Sequence, residues 1–364
     1  MTNTELKQMK RIELREAPVQ ITGLPWVYET GFYDRIPAKE LPDDCTDRFR
    51  DIASWTSGGI ARIQTNAEKV HFRAEVDGIK TDLYHMSRIG RSGFDFHIKY
   101  PGENRRFLQP SVPINFGHSI FSCDIAVKRS GLYDERPEPE GRPPMYELTI
   151  VFPTYNTVRE AVLFLDAEAE VLPPEKQKYE KPVLFYGSSI TQGACASRPS
   201  LCYTNRLALE LDTPIINFGF GGHAKGEKFM ADLIIGQDIS TLVLDYDHNA
   251  PNIEHLKNTH EPFFRRIRAA KPDLPVIMAT KPDYGKTLDD NKIRRQIVLD
   301  TYEHALKDGD RNVYFVDGRE YFDGVRDIAT VDGCHPNDFG FDRMTNAIRP
   351  VLEAVLTGKA DERN

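Results

Sequence analysis

The feature that constrains this chain most is a change in the period of its apolar residues partway along it. From Gly59 to Leu172 they alternate. Val70, Phe72, Ala74 and Val76 are interleaved with His71, Arg73 and Glu75; Phe94, Phe96 and Ile98 with Asp95 and His97; Tyr146, Leu148, Ile150 and Phe152 with Glu147 and Thr149. A period of two places successive side chains on opposite faces of an extended strand, one face apolar and the other polar. With turn signals such as Asp77-Gly78 and Pro101-Gly102 between the runs, this predicts antiparallel strands stacked as a β-sandwich of jelly-roll type. The stretch RPEPEGRPP, Arg136 to Pro144, predicts an exposed hairpin loop, because proline and clustered charge are excluded from a central strand.

Pro173 to Lys178, PPEKQK, reads as a linker, and beyond it the pattern changes. Short apolar runs (Val183 to Tyr186, Pro214 to Phe218, Thr241 to Asp245, Pro275 to Ala279, Val313 to Val316) alternate with amphipathic stretches such as Asn252 to Ala270, Asp290 to Leu306 and Phe341 to Leu356. Parallel strands need crossovers over the faces of their sheet, so this half predicts an α/β fold: a five-stranded parallel sheet with helices on both faces. Two domains follow, 1–174 and 175–364.

Composition excludes several functions. The 364 residues carry 47 basic and 55 acidic side chains, a net charge of -8, with neither sign gathered into blocks; a nucleic-acid partner is not expected. Neither a leader-like apolar region nor a run of the ~20 apolar residues that would span a bilayer is present in this sequence, so the expectation is a cytoplasmic protein with no membrane partner. The five cysteines, Cys45, Cys123, Cys195, Cys202 and Cys334, include no C-x-x-C pair, which predicts free thiols and no structural zinc. The oligomeric state is left open, a homo-oligomer included.

Open parallel sheets bind ligands beyond the carboxyl ends of their strands, where the strand order reverses; for five strands the commonest order is 2-1-3-4-5. The loops after the first three strands should then converge. They read Gly187-Ser188-Ser189-Ile190-Thr191, Gly219-Phe220-Gly221-Gly222-His223 and Tyr246-Asp247-His248-Asn249. The first is not a phosphate loop, since Gly193 is followed by Ala194-Cys195 and not by Lys and Ser or Thr. Nor is it a G-x-S-x-G elbow. What remains is a serine at a helix start, either a nucleophile or simply the N-cap.

A second stretch, Thr330 to Met344, bears on that choice. Asp332 and His335 are three residues apart, so one tight turn can bring the carboxylate to the imidazole Nδ1–H and leave Nε2 to take a proton from a serine. Pro336 disfavours helical backbone at His335, predicting a loop with a helix after it. The fifth strand lies about 14 Å from the first at ~4.8 Å per strand, and the 15 residues from Asp317 to Val331 extend to roughly 50 Å, so the imidazole can reach Ser189.

With both stretches in hand, residues from Lys181 to about Leu356 resemble the SGNH (GDSL-type) hydrolases. The first block of that family is matched by Gly187-Ser188-Ser189-Ile190-Thr191, and the last, D-x-x-H followed by Pro, by Asp332-Gly333-Cys334-His335-Pro336. The glycine block resembles Asn217 to Gly222, and the asparagine block falls around Asn249, with Asn252 as a substitute. Serine stands at Ser188 in place of the usual aspartate, and the third block departs from G-x-N-D. The whole chain also resembles bacterial carbohydrate acetylesterases that carry an N-terminal β-sandwich. The resemblance implies Ser189 as nucleophile, His335 as base and Asp332 as its orienter. It implies an oxyanion hole of the Ser189 and Gly222 N–H groups and the Asn249 amide, and needs neither metal nor cofactor. An O-acetylated oligosaccharide is the implied substrate; a lipase, thioesterase or acyltransferase on the same triad, or a non-catalytic carbohydrate-binding protein, are the alternatives.

Other residues admit two readings each. Arg198 and Glu227 could bond sugar hydroxyls or form structural ion pairs. His223 and His248, with Asp245 or Asp247, could hold a metal but read better as substrate contacts or surface. Cys195, Cys202 and Cys334 read as packing residues. Trp26, Trp55 and Tyr84 could stack on sugars, with core packing the expectation for Trp55.

Overall fold

The computed structural model describes residues 2–78, 83–114, 117–127, 142–282 and 288–360. The chain forms two compact units: Met1–Arg35, Ser54–Lys176 and Arg198–Ser200 in one, Ile36–Ala53, Gln177–Ser197 and Leu201–Asn364 in the other. The segment Ile36–Ala53 is thus built into the second unit although it precedes most of the first, and three residues of the second half are built into the first.

The first unit is two antiparallel sheets. Its strands are β1 (Lys10–Glu13), β2 (Gln20–Thr22), β3 (Ile60–Thr65), β4 (Val70–Val76), β5 (Phe94–Lys99), β6 (Arg106–Ser111), β7 (Ile120–Ile125), β8 (Tyr146–Val151), β9 (Val158–Leu165) and β10 (Val171–Leu172). One sheet runs β1-β9-β4-β7 and the other β10-β3-β8-β5-β6, with β2 beside β3. The alternating apolar residues of both meet in one core, where Phe72 of β4 lies 4.9 Å, centroid to centroid, from both Phe94 and Phe96 of β5. The polar face of the second sheet is also buried: Arg62, Asp95, His97, Glu147 and Thr149 are all less than a tenth exposed. Alternation alone predicts a solvated face here. Burial is sustained because the charges are paired, Arg62 forking onto Glu147 at 2.6 and 3.0 Å. The loop predicted over Arg136 to Pro144 lies largely outside the described residues.

The second unit holds the parallel sheet: β11 (Val183–Gly187), β12 (Ile215–Gly219), β13 (Thr241–Asp245), β14 (Val276–Ala279) and β15 (Val313–Val316), in the order β12-β11-β13-β14-β15. That is 2-1-3-4-5, so the loops after β11, β12 and β13 emerge side by side. Every residue of β11 to β14 is buried, which requires cover on both faces. Helices Tyr203–Leu211 and Asp338–Leu356 pack on one another, as do Lys228–Ile235, Ile253–Ala270 and Leu288–Lys307 in sequence. Among the described residues, no helix is long and apolar enough to cross a membrane.

Candidate active site

Strand β11 ends at Gly187 and the chain turns at once into a one-turn helix, Ser189–Gln192. The turn needs glycine. A Cβ on Gly187 would lie 2.1 Å from Thr191 Oγ1 and 2.4 Å from the Asp245 carbonyl oxygen; one on Gly219, at the end of β12, would lie 2.3 Å from the Gln192 nitrogen. Small residues here let the helix sit directly on the strand ends. The two serines divide the roles left open by the sequence. Ser188 is the N-cap, its Oγ accepting the Ile190 N–H at 3.1 Å; Ser189, half-buried, directs its Oγ to His335 Nε2 at 3.0 Å.

His335 comes from a tight turn closed by a bridge between Thr330 and Pro336. Asp332 organises that turn. Its Oδ1 accepts the backbone N–H groups of Cys334 and His335 at 3.0 and 2.8 Å, and its Oδ2 lies 2.8 Å from His335 Nδ1. Burial pushes the Asp332 carboxyl upward, but the His335 N–H, the imidazole and the Cys334 N–H outweigh it and hold the group below its usual range. A carboxylate on Nδ1 assigns the proton to that nitrogen and leaves Nε2 a lone pair facing the hydroxyl. After the turn Asn337 caps the helix Asp338–Leu356, accepting the Gly340 N–H at 3.0 Å.

The neighbouring loops join this arrangement through hydrogen bonds. Gln192 Oε1 accepts the Gly221 N–H at 2.9 Å, and the Asn249 side-chain amide donates to the Phe220 carbonyl at 2.8 Å. Among the described residues the N–H of Gly222, which is exposed, meets no acceptor. Gly222 adopts φ 74°, in the left-handed region, with open space around its Cα.

Beneath the serine lies a buried polar network that was not assigned from the sequence. Asp245 Oδ2 accepts from Thr191 Oγ1 at 2.9 Å and from Tyr203 OH at 2.8 Å. Burial, then the neighbouring Asp247, pushes the Asp245 carboxyl up to about 8, so it is largely protonated at neutral pH. Asn217 donates to the Thr191 carbonyl at 2.8 Å and accepts the Gly219 N–H at 2.8 Å. The available signal was a polar residue that interrupts two of the apolar runs: Asn217 in Pro214 to Phe218, and Asp245 closing Thr241 to Asp245. A polar side chain in a strand buried on both faces must find partners.

The remaining candidates have internal partners. Arg198 bonds Asp95 at 3.1 Å and lies 3.7 Å from the Phe107 ring centroid, while Glu227 accepts from Tyr186 OH at 2.9 Å and the Lys225 N–H at 3.0 Å. These bonds give both residues internal partners, as the structural alternative for them expects. His223 Nδ1 is 2.8 Å from the Gly221 carbonyl, His248 Nε2 is 3.1 Å from Cys334 Sγ, and Asp247 accepts the Lys281 N–H; among the described residues these groups are not gathered within ligand distance of one another. All five cysteines are free. Trp55 packs on Tyr155 at 5.1 Å; Tyr84 is exposed.

A hydroxyl, an imidazole and a carboxylate in series beyond the ends of parallel strands form the layout of a serine hydrolase. Residues 180–353 match the GDSL-like lipase/acylhydrolase family, and residues 9–171 match the family described as the N-terminus of Esterase_SGNH_hydro-type. The second half of the chain is thus a GDSL-like (SGNH) lipase/acylhydrolase domain, and the first half is the N-terminal domain described for esterases of that type. Among solved structures it is similar to a protein described as a GDSL-like lipase from Bacteroides ovatus, at 22% identity and TM-score 0.82, over 96% of this chain and 98% of that one. It is also similar to the salicylyl-acyltransferase SsfX3 from a tetracycline biosynthetic pathway, at 16% identity and TM-score 0.75, over 97% and 99% of the two chains. A family two carbohydrate esterase from Cellvibrio japonicus shares 14% identity at TM-score 0.57, over 96% and 98%. These likenesses establish the fold. A search of curated proteins finds no match.

Proposed function

We propose that the protein is a serine esterase that removes O-acetyl groups from a carbohydrate through an acyl-Ser189 intermediate. The observation that carries this is the unbroken series Ser189 Oγ, His335 Nε2, His335 Nδ1, Asp332 Oδ2, with gaps of 3.0 and 2.8 Å. Ser189 Oγ attacks the ester carbonyl carbon as its proton passes to His335 Nε2, and ionised Asp332 stabilises the imidazolium that results. The negative oxygen is received by the N–H groups of Ser189 and Gly222 and the amide of Asn249. Preorganised donors of this kind contribute about 3 to 4 kcal/mol each. His335 then protonates the leaving sugar oxygen. Water attacks the acyl carbon as His335 takes its proton; the bond from Ser189 Oγ to the acyl group then breaks, the serine oxygen recovers that proton from His335, and acetic acid leaves and ionises to acetate. The bond from Asn249 to Phe220 uses one amide hydrogen, leaving the second for the oxyanion.

The acetyl and carbohydrate parts are supported by the fold shared with the Cellvibrio japonicus esterase and with an acetyl xylan esterase, Est2A, from Butyrivibrio proteoclasticus. The greater likeness to an acyltransferase favours a second reading, in which an alcohol replaces water as acceptor. Replacing Ser189 with Ala should cut turnover of nitrophenyl acetate by on the order of a thousandfold or more, with the circular dichroism spectrum unchanged. Retention of most of the rate, or no labelling of the native enzyme by a fluorophosphonate, would end the serine reading. A nitrophenyl ester series should fall steeply beyond acetate. Faster turnover with added alcohols, yielding the new ester, would select the transferase.

A further inference from the structure

We propose that His248 and Cys334 are positioning residues, a hydrogen-bonded pair that holds the loop of the catalytic base in register with the loop of the oxyanion amide. The inference rests on the acyl-serine reading above. Cys334 immediately precedes His335, and His248 immediately precedes Asn249. Their side chains meet at 3.1 Å, Sγ to Nε2, so one contact spans the two loops at the residues adjoining the proton carrier and the oxyanion donor. Neither group has a part in the bond-making steps.

The surroundings explain why such a tie is useful. The turn Asp247–Asn249 is anchored from behind: Arg294 Nη1 donates to the carbonyls of Asp247 and Ala250 at 2.7 and 2.9 Å, and the Lys281 N–H reaches both Asp247 carboxylate oxygens at 3.2 Å. The Asp332 turn is organised internally by the Asp332 carboxylate, but Val331 and Asp332 at its tip are exposed. Its placement over Ser189 therefore depends on contacts made outward, and Cys334 supplies one to an anchored partner. Burial raises the Cys334 thiol, with Asp332 adding to the effect, so the sulfur keeps its proton and can donate. His248 is pushed down to about 3, by burial first and then by Lys281 and His335, and accepts as a neutral ring. In that tautomer its proton is on Nδ1, a buried atom with no partner among the described residues; the ring bears this cost while its other nitrogen holds the thiol. Near-attack geometry is sensitive, a displacement of about 1 Å costing up to a hundredfold in rate.

The test is a double-mutant cycle on kcat for nitrophenyl acetate, normalised to sites titrated with a fluorophosphonate so that misfolded protein does not count. Cys334→Ala and His248→Ala should each lower kcat per site about tenfold with KM unchanged, and the double variant should be no slower than either. Cys334→Ser, which keeps a donor, should recover kcat to within about threefold of the native enzyme. Multiplying effects in the double variant, Cys334→Ser as slow as Cys334→Ala, or a native kcat per site in Cys334→Ala would each overturn the pair. Should His248→Ala not fold, the comparison of Cys334→Ala with Cys334→Ser decides alone. Failure of the Ser189→Ala test removes the acyl-serine reading itself. Failure here, with labelling of Ser189 intact, falls on the pair alone.

Discussion

Ser188 and Ser189 are adjacent and chemically identical, yet backbone geometry separates their work. The first faces back along its own helix and satisfies an otherwise orphaned N–H; the second faces a ring that arrives from 146 residues further along the chain. Mutation should divide them in the same way. Ser188→Ala removes a cap and should lower stability by about 1 kcal/mol, read as a shift of the urea midpoint. It should leave kcat at 25 °C within about threefold of native, whereas Ser189→Ala should do the reverse. A Ser188→Ala enzyme as inactive as Ser189→Ala would mean the cap is needed for chemistry. The local pattern could not decide between cap and nucleophile, because both need the same residue at the same helix end; the resemblance of the sequence blocks pointed to Ser189.

At the level of the elements, β11, β12 and β13 end in a layer of polar groups without bulk solvent. Asp245 is the group on which this layer depends. Its ordinary value is 3.8 and burial raises it to about 8 in the folded protein. Between those values the folded state keeps a proton that the unfolded state has lost, so stability falls as pH rises from about 4 to 8 and levels above. Asp245→Asn keeps an oxygen to accept from Thr191 and Tyr203 but cannot titrate. Its urea midpoint should therefore depend less on pH than the native one between pH 5 and 8, by up to about 1.4 kcal/mol per pH unit. Equal slopes for the two proteins would show that Asp245 is already ionised in the folded state. The strands themselves were legible because continuous apolar runs separated by amphipathic stretches admit few other folds. The polar layer was not, since a lone Asn217 or Asp245 reads as an interruption until its partners are known.

For the molecule as a whole, the compact units do not follow chain order. Within the second unit Phe49, from the early segment Ile36–Ala53, lies 4.9 Å from Phe220 and 5.7 Å from Phe229, centroid to centroid. Phe220 occupies the glycine-rich loop whose carbonyl holds the Asn249 amide. Phe49→Ala should therefore destabilise the unit that bears the site, by about 3 to 5 kcal/mol for a buried aromatic. The expected readout is loss of fluorophosphonate labelling at a temperature the native protein withstands. Unchanged thermal loss of labelling would place Phe49 outside the cooperative core of that unit. Composition and linker signals mark where the pattern changes, but they are blind to a segment that crosses back, because its contacts are distant in sequence.

By itself the sequence determined the kinds of element and their order: alternation for the antiparallel sheets, apolar runs with amphipathic helices for the parallel one, and a serine and an Asp-x-x-His at chain positions that a 2-1-3-4-5 sheet can unite. Those are properties of the backbone repeat, and short windows carry them. Only the tertiary structure decided that Ser188 is the cap beside the serine that meets the imidazole, that the sandwich's charged face is buried with Arg62 paired to Glu147, that Arg198 and Glu227 are held by internal partners, and that Cys334 meets His248. Each of these depends on where remote side chains converge once the core has packed, and no local pattern encodes that.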